Sequence, residues 1–186
     1  MENQTPASKK FNSKKVILYG SISIVAIAVI YLIATSGANL TSQIGAVGST
    51  HIHTDMAVFV NGNQITPLGP QYFVKSPYVH VEGGPGEGTV VHTHATNVPL
   101  NFFLKSLGMD LTGECFKLDT GENFCSNGDK TLKMFVKHAN GQWEQNFDAG
   151  NYMFKNLDKI LITYGNENPD QIKIQENSVT DFSKDN

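Results

Sequence analysis

The chain has 186 residues, a formal net charge of −3 and 40% hydrophobic residues, values that fit a folded protein of modest size rather than a disordered one. Only one of its 17 acidic residues precedes position 51, whereas four of its 14 basic residues do, so the later part of the chain is acidic. This balance disfavours nucleic acid as a partner, and the absence of arginine removes the side chain best suited to bidentate binding of phosphate.

The first predicted element is a membrane-spanning helix over residues 16–35. Its central stretch, Val16 to Ala34, contains 19 residues without a charge, enough to cross a hydrocarbon core of about 30 Å as a helix. Four lysines precede this stretch and the next lysine is Lys75, a bias that places the N-terminus in the cytoplasm. We therefore predict a cytoplasmic basic tail at residues 1–15 and a single-pass anchor in the cell membrane.

A cleaved signal peptide is the alternative interpretation, because small residues at positions 34–38 resemble a signal-peptidase site. The apolar stretch exceeds the roughly 7 to 15 residues of a usual signal core, which favours the uncleaved anchor. Residues 36–50 are rich in Ser, Gly, Thr and Ala and predict a flexible linker. Both interpretations place the main domain, residues 51–177, outside the cytoplasm, and polar residues 178–186 are expected to form a flexible tail.

Short β-prone segments dominate the predicted domain. The first, Asp55 to Val60, ends in Asn61-Gly62, a pair typical of hairpin turns. Further strands are predicted at residues 64–66, 71–75, 78–81, 89–94, 132–138, 142–146, 159–164 and 171–174. The pattern predicts an α+β domain with a mostly antiparallel or mixed sheet, and two Asn-Gly hairpins on either side of a helix favour a grasp-type arrangement.

One main helix is predicted to begin near residue 97. Asn97 is a candidate N-cap, and Pro99 suits a first helical turn. An apolar stripe then runs from Leu100 to Leu107 and stops before Gly108, a residue type that commonly follows a helix end. We expect this helix to pack its apolar stripe against the sheet.

Cys115 and Cys125 are the only cysteines of the chain. Outside the cytoplasm such a pair is most simply a disulfide, and the turn-like residues 119–122 between the two predict a bridge across a hairpin. A redox-active pair is the alternative, although a thioredoxin-type site has two intervening residues and this pair has nine. We therefore predict a structural disulfide.

Five of the six histidines lie between residues 51 and 94 and supply the candidate chemistry. They occur as two His-x-His pairs and one His-x-Glu pair, and side chains at positions i and i+2 of a strand lie on the same face. A glycine-rich connection at residues 83–88 can fold His80 and Glu82 back against His92 and His94. The candidate metal ligands are His51, His53, His80, Glu82, His92 and His94.

So many imidazoles suit copper or zinc, and the general affinity order favours copper. We predict a membrane-anchored extracytoplasmic metal-binding protein that acts as a carrier, a buffer or an accessory subunit of a membrane protein partner. A metal-dependent hydrolase or hydratase is the enzymatic alternative, with Glu82 or Asp55 as general base. A third alternative is a metal-free interaction or assembly module with a structural or pH-responsive histidine cluster.

The region from His51 to about Leu111 resembles small membrane-anchored extracytoplasmic domains of archaea and bacteria. In these domains His-x-His elements surround a hairpin and precede a helix with a Phe-Phe pair, here Phe102-Phe103. The resemblance covers about a third of the chain. It implies the same membrane-anchored location, and it implies no activity.

Overall fold

The computed structural model describes residues 43–185 of the chain. The basic tail and the membrane helix predicted for residues 1–35 lie outside the described residues, so both stay predictions. Within the described part, no helix is long and apolar enough to cross a membrane. The elements are β1 (Ile52–Val60), β2 (Asn63–Gln64), β3 (Val79–His80), β4 (Val90–Thr93), α1 (Leu100–Ser106), β5 (Asp110–Leu111), β6 (Cys115–Lys117), β7 (Asn123–Cys125), β8 (Thr131–Lys137), β9 (Trp143–Asn146), β10 (Lys159–Gly165) and α2 (Pro169–Ser178).

The strands form a seven-stranded sheet and a small three-stranded sheet. In the larger sheet the order is β3-β4-β1-β10-β8-β9, and β2 pairs with β1 as a short hairpin. Strands β1 and β10 are parallel, whereas the other pairs are antiparallel. The mixed sheet with helices confirms the predicted α+β class, and the grasp-type arrangement stays a prediction.

Both faces of the larger sheet are covered, and β1 shows how the sequence divides them. Met56 and Val58 point into the main core, which contains the apolar stripe of α1. The alternate residues, Ala57 and Phe59, point to the opposite face, where Ile172 of α2 packs. This alternation follows from the two-residue period of a strand. Burying a large apolar side chain stabilises the fold by about 1.5–3 kcal/mol. The face covered by α1 buries more such side chains than the face covered by α2, so it contributes more of this stabilisation.

The second helix, α2, corrects the strand predicted at residues 171–174. The side chain of Asn168 accepts a hydrogen bond from the backbone N–H of Gln171 at 3.0 Å, and the Gln171 side chain accepts one from the N–H of Asn168 at 2.9 Å. Pro169 occupies the first turn, where its missing N–H costs nothing. This reciprocal capping starts a helix where the apolar alternation alone indicates a strand.

Two local predictions near the loops are also wrong. Residues 71–75 are not a strand, because a 3-10 turn at Pro70–Tyr72 is followed by Val74 at a φ of 49°. Asn97 does not cap α1: it has a φ of 58°, and its side chain donates to the carbonyl oxygen of Gln43 at 3.4 Å. Helix α1 begins after Pro99 without a side-chain cap, while Gly108, at a φ of 81°, follows its end as predicted.

The predicted disulfide is confirmed. Cys115 and Cys125 lie directly opposite each other in the β6-β7 hairpin, with their Cα atoms 4.0 Å apart and their sulfur atoms bonded. Phe116, the neighbour of Cys115, is fully buried in the main core. The bridge therefore joins two strands that already pair, and it stabilises a hairpin that is packed on the main core through Phe116.

The segment after α2, predicted as a flexible tail, lies against β1. The carboxylate of Asp55 accepts hydrogen bonds from the hydroxyl of Thr180, from the N–H of Phe182 at 3.0 Å and from the N–H of Ser183 at 3.2 Å. Asp55 and Ser183 are both buried. Backbone N–H groups supply two of these three contacts, so the polar composition of the segment conceals its packing.

Candidate metal centre

Three neighbouring strands bring the predicted ligands together. His92 of β4 lies opposite His53 of β1 on one side and opposite His80 of β3 on the other, so these three residues form a row across the sheet. Because side chains alternate along β1, His53 shares the face of Ala57 and Phe59, the face that α2 partly covers. The glycine-rich connection 83–88 joins β3 to β4 in the antiparallel pair that the sequence predicts.

His51 and His94 extend the site two residues beyond this row. Two backbone hydrogen bonds fix His94. Its N–H donates to the carbonyl oxygen of Tyr78 at 2.8 Å, and its carbonyl oxygen accepts from the N–H of Gly48 at 2.7 Å. The start of β1 is fixed in the same way, because the N–H of Leu157 donates to the carbonyl oxygen of His53 at 2.8 Å. Backbone contacts thus hold both ends of the site.

The five imidazoles form a closed ring in which each side chain contacts two others. We call this arrangement the histidine ring. Its successive centroid distances are 4.8 Å for His51–His53, 4.7 Å for His53–His92, 5.9 Å for His92–His80, 4.9 Å for His80–His94 and 4.7 Å for His94–His51. The five histidines that the sequence singles out are therefore assembled in one place.

One set of three ring residues lies close enough to be a candidate metal site. Among the described residues, the ligand atoms of His51, His53 and His92 all lie within 4.8 Å of one another. The Nε2 atoms of His51 and His53 are 3.1 Å apart. Two nitrogens bound to one tetrahedral zinc ion, each at about 2.0–2.1 Å, are separated by about 3.3 Å. The His51–His53 pair matches this separation, and His92 supplies a third nitrogen within 4.8 Å.

Glu82 lies at the edge of the ring and approaches two of its members. Its Oε2 atom is 3.4 Å from Nε2 of His80, and its Oε1 atom is 3.7 Å from Nε2 of His92. The Glu82 side chain is 45% exposed, so it can also contact solvent. The N–H of Gly88 donates to the carbonyl oxygen of Glu82 at 3.3 Å, which fixes its backbone beside β4.

A backbone carbonyl sets the orientation of His80. Its Nδ1 atom lies 3.0 Å from the carbonyl oxygen of Ser76, and since a carbonyl can only accept, Nδ1 carries the proton. The lone pair of His80 is then on Nε2, the atom that faces Glu82. Metal-binding histidines typically have such a partner on the second nitrogen. The sequence contains no signal for this contact, because its acceptor is a backbone atom in an irregular loop.

Burial favours the neutral form of three ring imidazoles, those of His53, His92 and His94. Burial lowers the pKa of His92 to about 4, an effect that Glu82 partly opposes and the neighbouring imidazoles reinforce. Burial also lowers the pKa values of His53 and His94, again with help from adjacent histidines. The neutral imidazole is the form that binds metal, so protons compete weakly at these positions near neutral pH.

The remaining candidates lie elsewhere. Asp55, a predicted general base, is buried and directs both carboxylate oxygens at the segment 180–183, so it does not line the histidine ring. His138 is separate: its Nδ1 atom is 2.9 Å from Asp158, and its Nε2 atom is 3.3 Å from Glu144. The hydroxyl of Tyr152 also donates to Asp158. His138 therefore belongs to a hydrogen-bonded network of its own.

Comparison with known proteins gives no functional assignment. No protein-family model matches the chain, no curated protein matches it, and no solved structure matches it.

Proposed function

We propose that the protein binds a copper or zinc ion at the histidine ring and serves as a metal carrier, a buffer or an accessory subunit of a membrane protein. The observation that carries this proposal is the set of His51, His53 and His92, whose ligand atoms lie within 4.8 Å of one another. Three imidazoles on or directly beside the paired strands β1 and β4 form a donor set that suits either metal, and the affinity order favours copper.

The location of this site belongs to the same proposal. The apolar residues 16–35 support a single membrane anchor, and the four lysines before them support a cytoplasmic N-terminus. The disulfide between Cys115 and Cys125 fits an oxidising compartment for the domain. Alkaline carbonate extraction of membranes tests the anchor: the full chain is expected in the membrane pellet, whereas a chain lacking residues 1–42 is expected in the supernatant.

Metal content tests the site. The untagged full chain, purified in mild detergent, is incubated with equal concentrations of Cu(II) and Zn(II), desalted and analysed by plasma mass spectrometry. A His53→Gln/His92→Gln variant is compared with a His138→Gln control, which also removes imidazole but leaves the ring intact. At least one ion per chain is expected in the parent and the control, with a marked loss in the double variant.

A parent protein that is folded by circular dichroism yet retains neither metal would contradict the proposal. A metal-free interaction or assembly module would then be the favoured function. Equal metal retention by the double variant would show that binding occurs outside the ring, and this result would also contradict the assignment of the site.

A metal-dependent hydrolase or hydratase is the second candidate, and one observation favours it. The half-exposed carboxylate of Glu82 lies within 3.4 Å and 3.7 Å of two ring imidazoles, where it can accept a proton from a metal-bound water. Hydrolysis of an activated ester by the zinc-loaded chain tests this activity. A rate above that of free zinc is expected, together with a loss of that rate in Glu82→Gln while His51, His53 and His92 still hold one zinc ion per chain.

A further inference from the structure

We infer that the histidine ring holds two metal ions, bridged by the carboxylate of Glu82. This inference rests on the proposed metal binding and extends it from one ion to a two-ion centre. One ion is assigned to His51, His53 and His92, and the other to His80 and His94. The assignment uses all six of the metal ligands that the sequence predicts.

The histidine ring offers more donors than one ion takes. A tetrahedral site uses four ligands, whereas the five imidazoles and Glu82 supply six. The ligand atoms of His51, His53 and His92 lie within 4.8 Å of one another and serve the first ion. His80, His94 and Glu82 are therefore left for a second ion.

The geometry of His80 and His92 supports assigning them to different ions. Their contact is the longest in the histidine ring, at 5.9 Å, and their imidazoles are nearly parallel, at 16°. Parallel imidazoles direct their nitrogens along similar lines rather than toward one common point. At the other end His51 and His94, with centroids 4.7 Å apart, bring the two ligand sets next to each other.

Glu82 lies beside both His80 and His92. One of its oxygens faces Nε2 of His80 and the other faces Nε2 of His92, so each oxygen is directed toward a different ion. A carboxylate that bridges in this way occurs in two-metal sites, where the ions are about 3.5–4 Å apart. His80 is already oriented for its ion, because the carbonyl oxygen of Ser76 holds the proton of its Nδ1 atom.

The test uses Cu(II), whose unpaired electron reports a neighbouring ion. The untagged full chain in detergent is titrated with Cu(II), and bound copper is measured together with the electron paramagnetic resonance spectrum. We expect two ions per chain and a spectrum with dipolar broadening, a half-field signal or an integrated intensity well below the copper content. Zn(II) stoichiometry by native mass spectrometry gives a second count that is independent of magnetic coupling.

The Glu82→Gln variant keeps the shape of the side chain and removes the bridging charge. It is expected to bind the first ion, to bind the second at least tenfold more weakly, and to give the spectrum of an isolated Cu(II). The matched control is Glu144→Gln, since Glu144 also lies 3.3 Å from a histidine Nε2 atom but outside the ring. This control is expected to behave as the parent.

The possible failures are distinguishable. One copper ion per chain with full, uncoupled signal intensity would overturn the two-ion inference and leave the proposed metal binding standing. Two uncoupled ions whose affinities are unchanged in Glu82→Gln would overturn the bridge. A folded chain that binds neither Cu(II) nor Zn(II) would overturn the proposed function, and with it the two-ion centre.

Discussion

The histidine ring and the His138 network both place imidazoles beside carboxylates, but the imidazole nitrogens have different partners in the two regions. His138 has a carboxylate at each nitrogen, Asp158 at 2.9 Å and Glu144 at 3.3 Å. In the histidine ring the Nε2 atoms of His51 and His53 face each other at 3.1 Å, so a single proton is the most that can lie between them. His138 therefore has an acceptor for each of its nitrogens, whereas His51 and His53 share one short contact, where the proposed metal ion would take the place of the shared proton.

The largest effect is expected from breaking the His138 network. Asp158 is buried and accepts hydrogen bonds from Tyr152 and His138, so Asp158→Ala leaves these groups without their acceptor. Removing one member of a buried charged network costs about 3–5 kcal/mol. Urea unfolding in the presence of a chelator measures this loss. Metal stoichiometry of the folded variant is expected to stay at the parent value, and a fall in that value would contradict the separation of the two regions.

Removing the disulfide sharpens the comparison by testing a hairpin in the smaller sheet, which carries no histidine. Cys115→Ser/Cys125→Ser opens a closed loop of 11 residues, for which the chain-entropy relation gives a loss of about 3 kcal/mol. The unfolding midpoint is expected to fall, while the metal affinity of the folded protein stays unchanged. Isothermal titration checks the affinity. An affinity that falls together with the stability would mean that the hairpin supports the histidine ring.

Metal addition is expected to stabilise the protein through the histidine ring and not through the His138 network. At a free metal concentration 100 times the dissociation constant, binding to the folded state stabilises it by about 2.7 kcal/mol. This gain is expected in the parent and in His138→Gln but not in His53→Gln/His92→Gln. Thermal unfolding with and without metal provides the measurement. A gain of equal size in the double variant would place the stabilising metal outside the ring.

A pH dependence is expected from the buried imidazole of His92. The pKa of His92 is about 4 in the folded protein and about 6.5 in the unfolded chain, so the unfolded chain takes up a proton first as the pH falls. Stability without metal is therefore expected to decrease from about pH 6.5 toward pH 4 and to rise again with pH. His92→Gln is expected to show a flatter thermal-unfolding profile over that interval than the parent. Identical slopes would contradict the role of His92.

The local pattern of the sequence predicts which histidines share a strand face better than it predicts the register between strands. His51 and His53 share a strand face because of the two-residue period, and this period is visible in the sequence. The pairing of β3 with β4 is predicted from the glycine-rich connection between them. The register of β4 against β1 joins segments about forty residues apart, and no local pattern specifies it. The closure of the histidine ring therefore required the structure.

Other features were concealed because backbone atoms create them. The capping at Asn168 starts α2 where apolar alternation indicates a strand, so two local signals conflict and the cap prevails. The carbonyl oxygen of Ser76 orients His80, and the N–H groups of Phe182 and Ser183 hold Asp55. Since every residue type carries the same backbone groups, the sequence contains no mark of these partners.

The position of β1 has a consequence for the order in which the domain is made. Its partner β4 follows within about forty residues, but β10 and the donors to Asp55 come more than a hundred residues later. Until those residues emerge during synthesis, one edge of β1 is unpaired and the carboxylate of Asp55 lacks its hydrogen-bond donors. An open apolar edge of this kind readily pairs with other chains. The newly made half-domain is therefore expected to be the species most prone to aggregation, and to depend on protection until β10 is added.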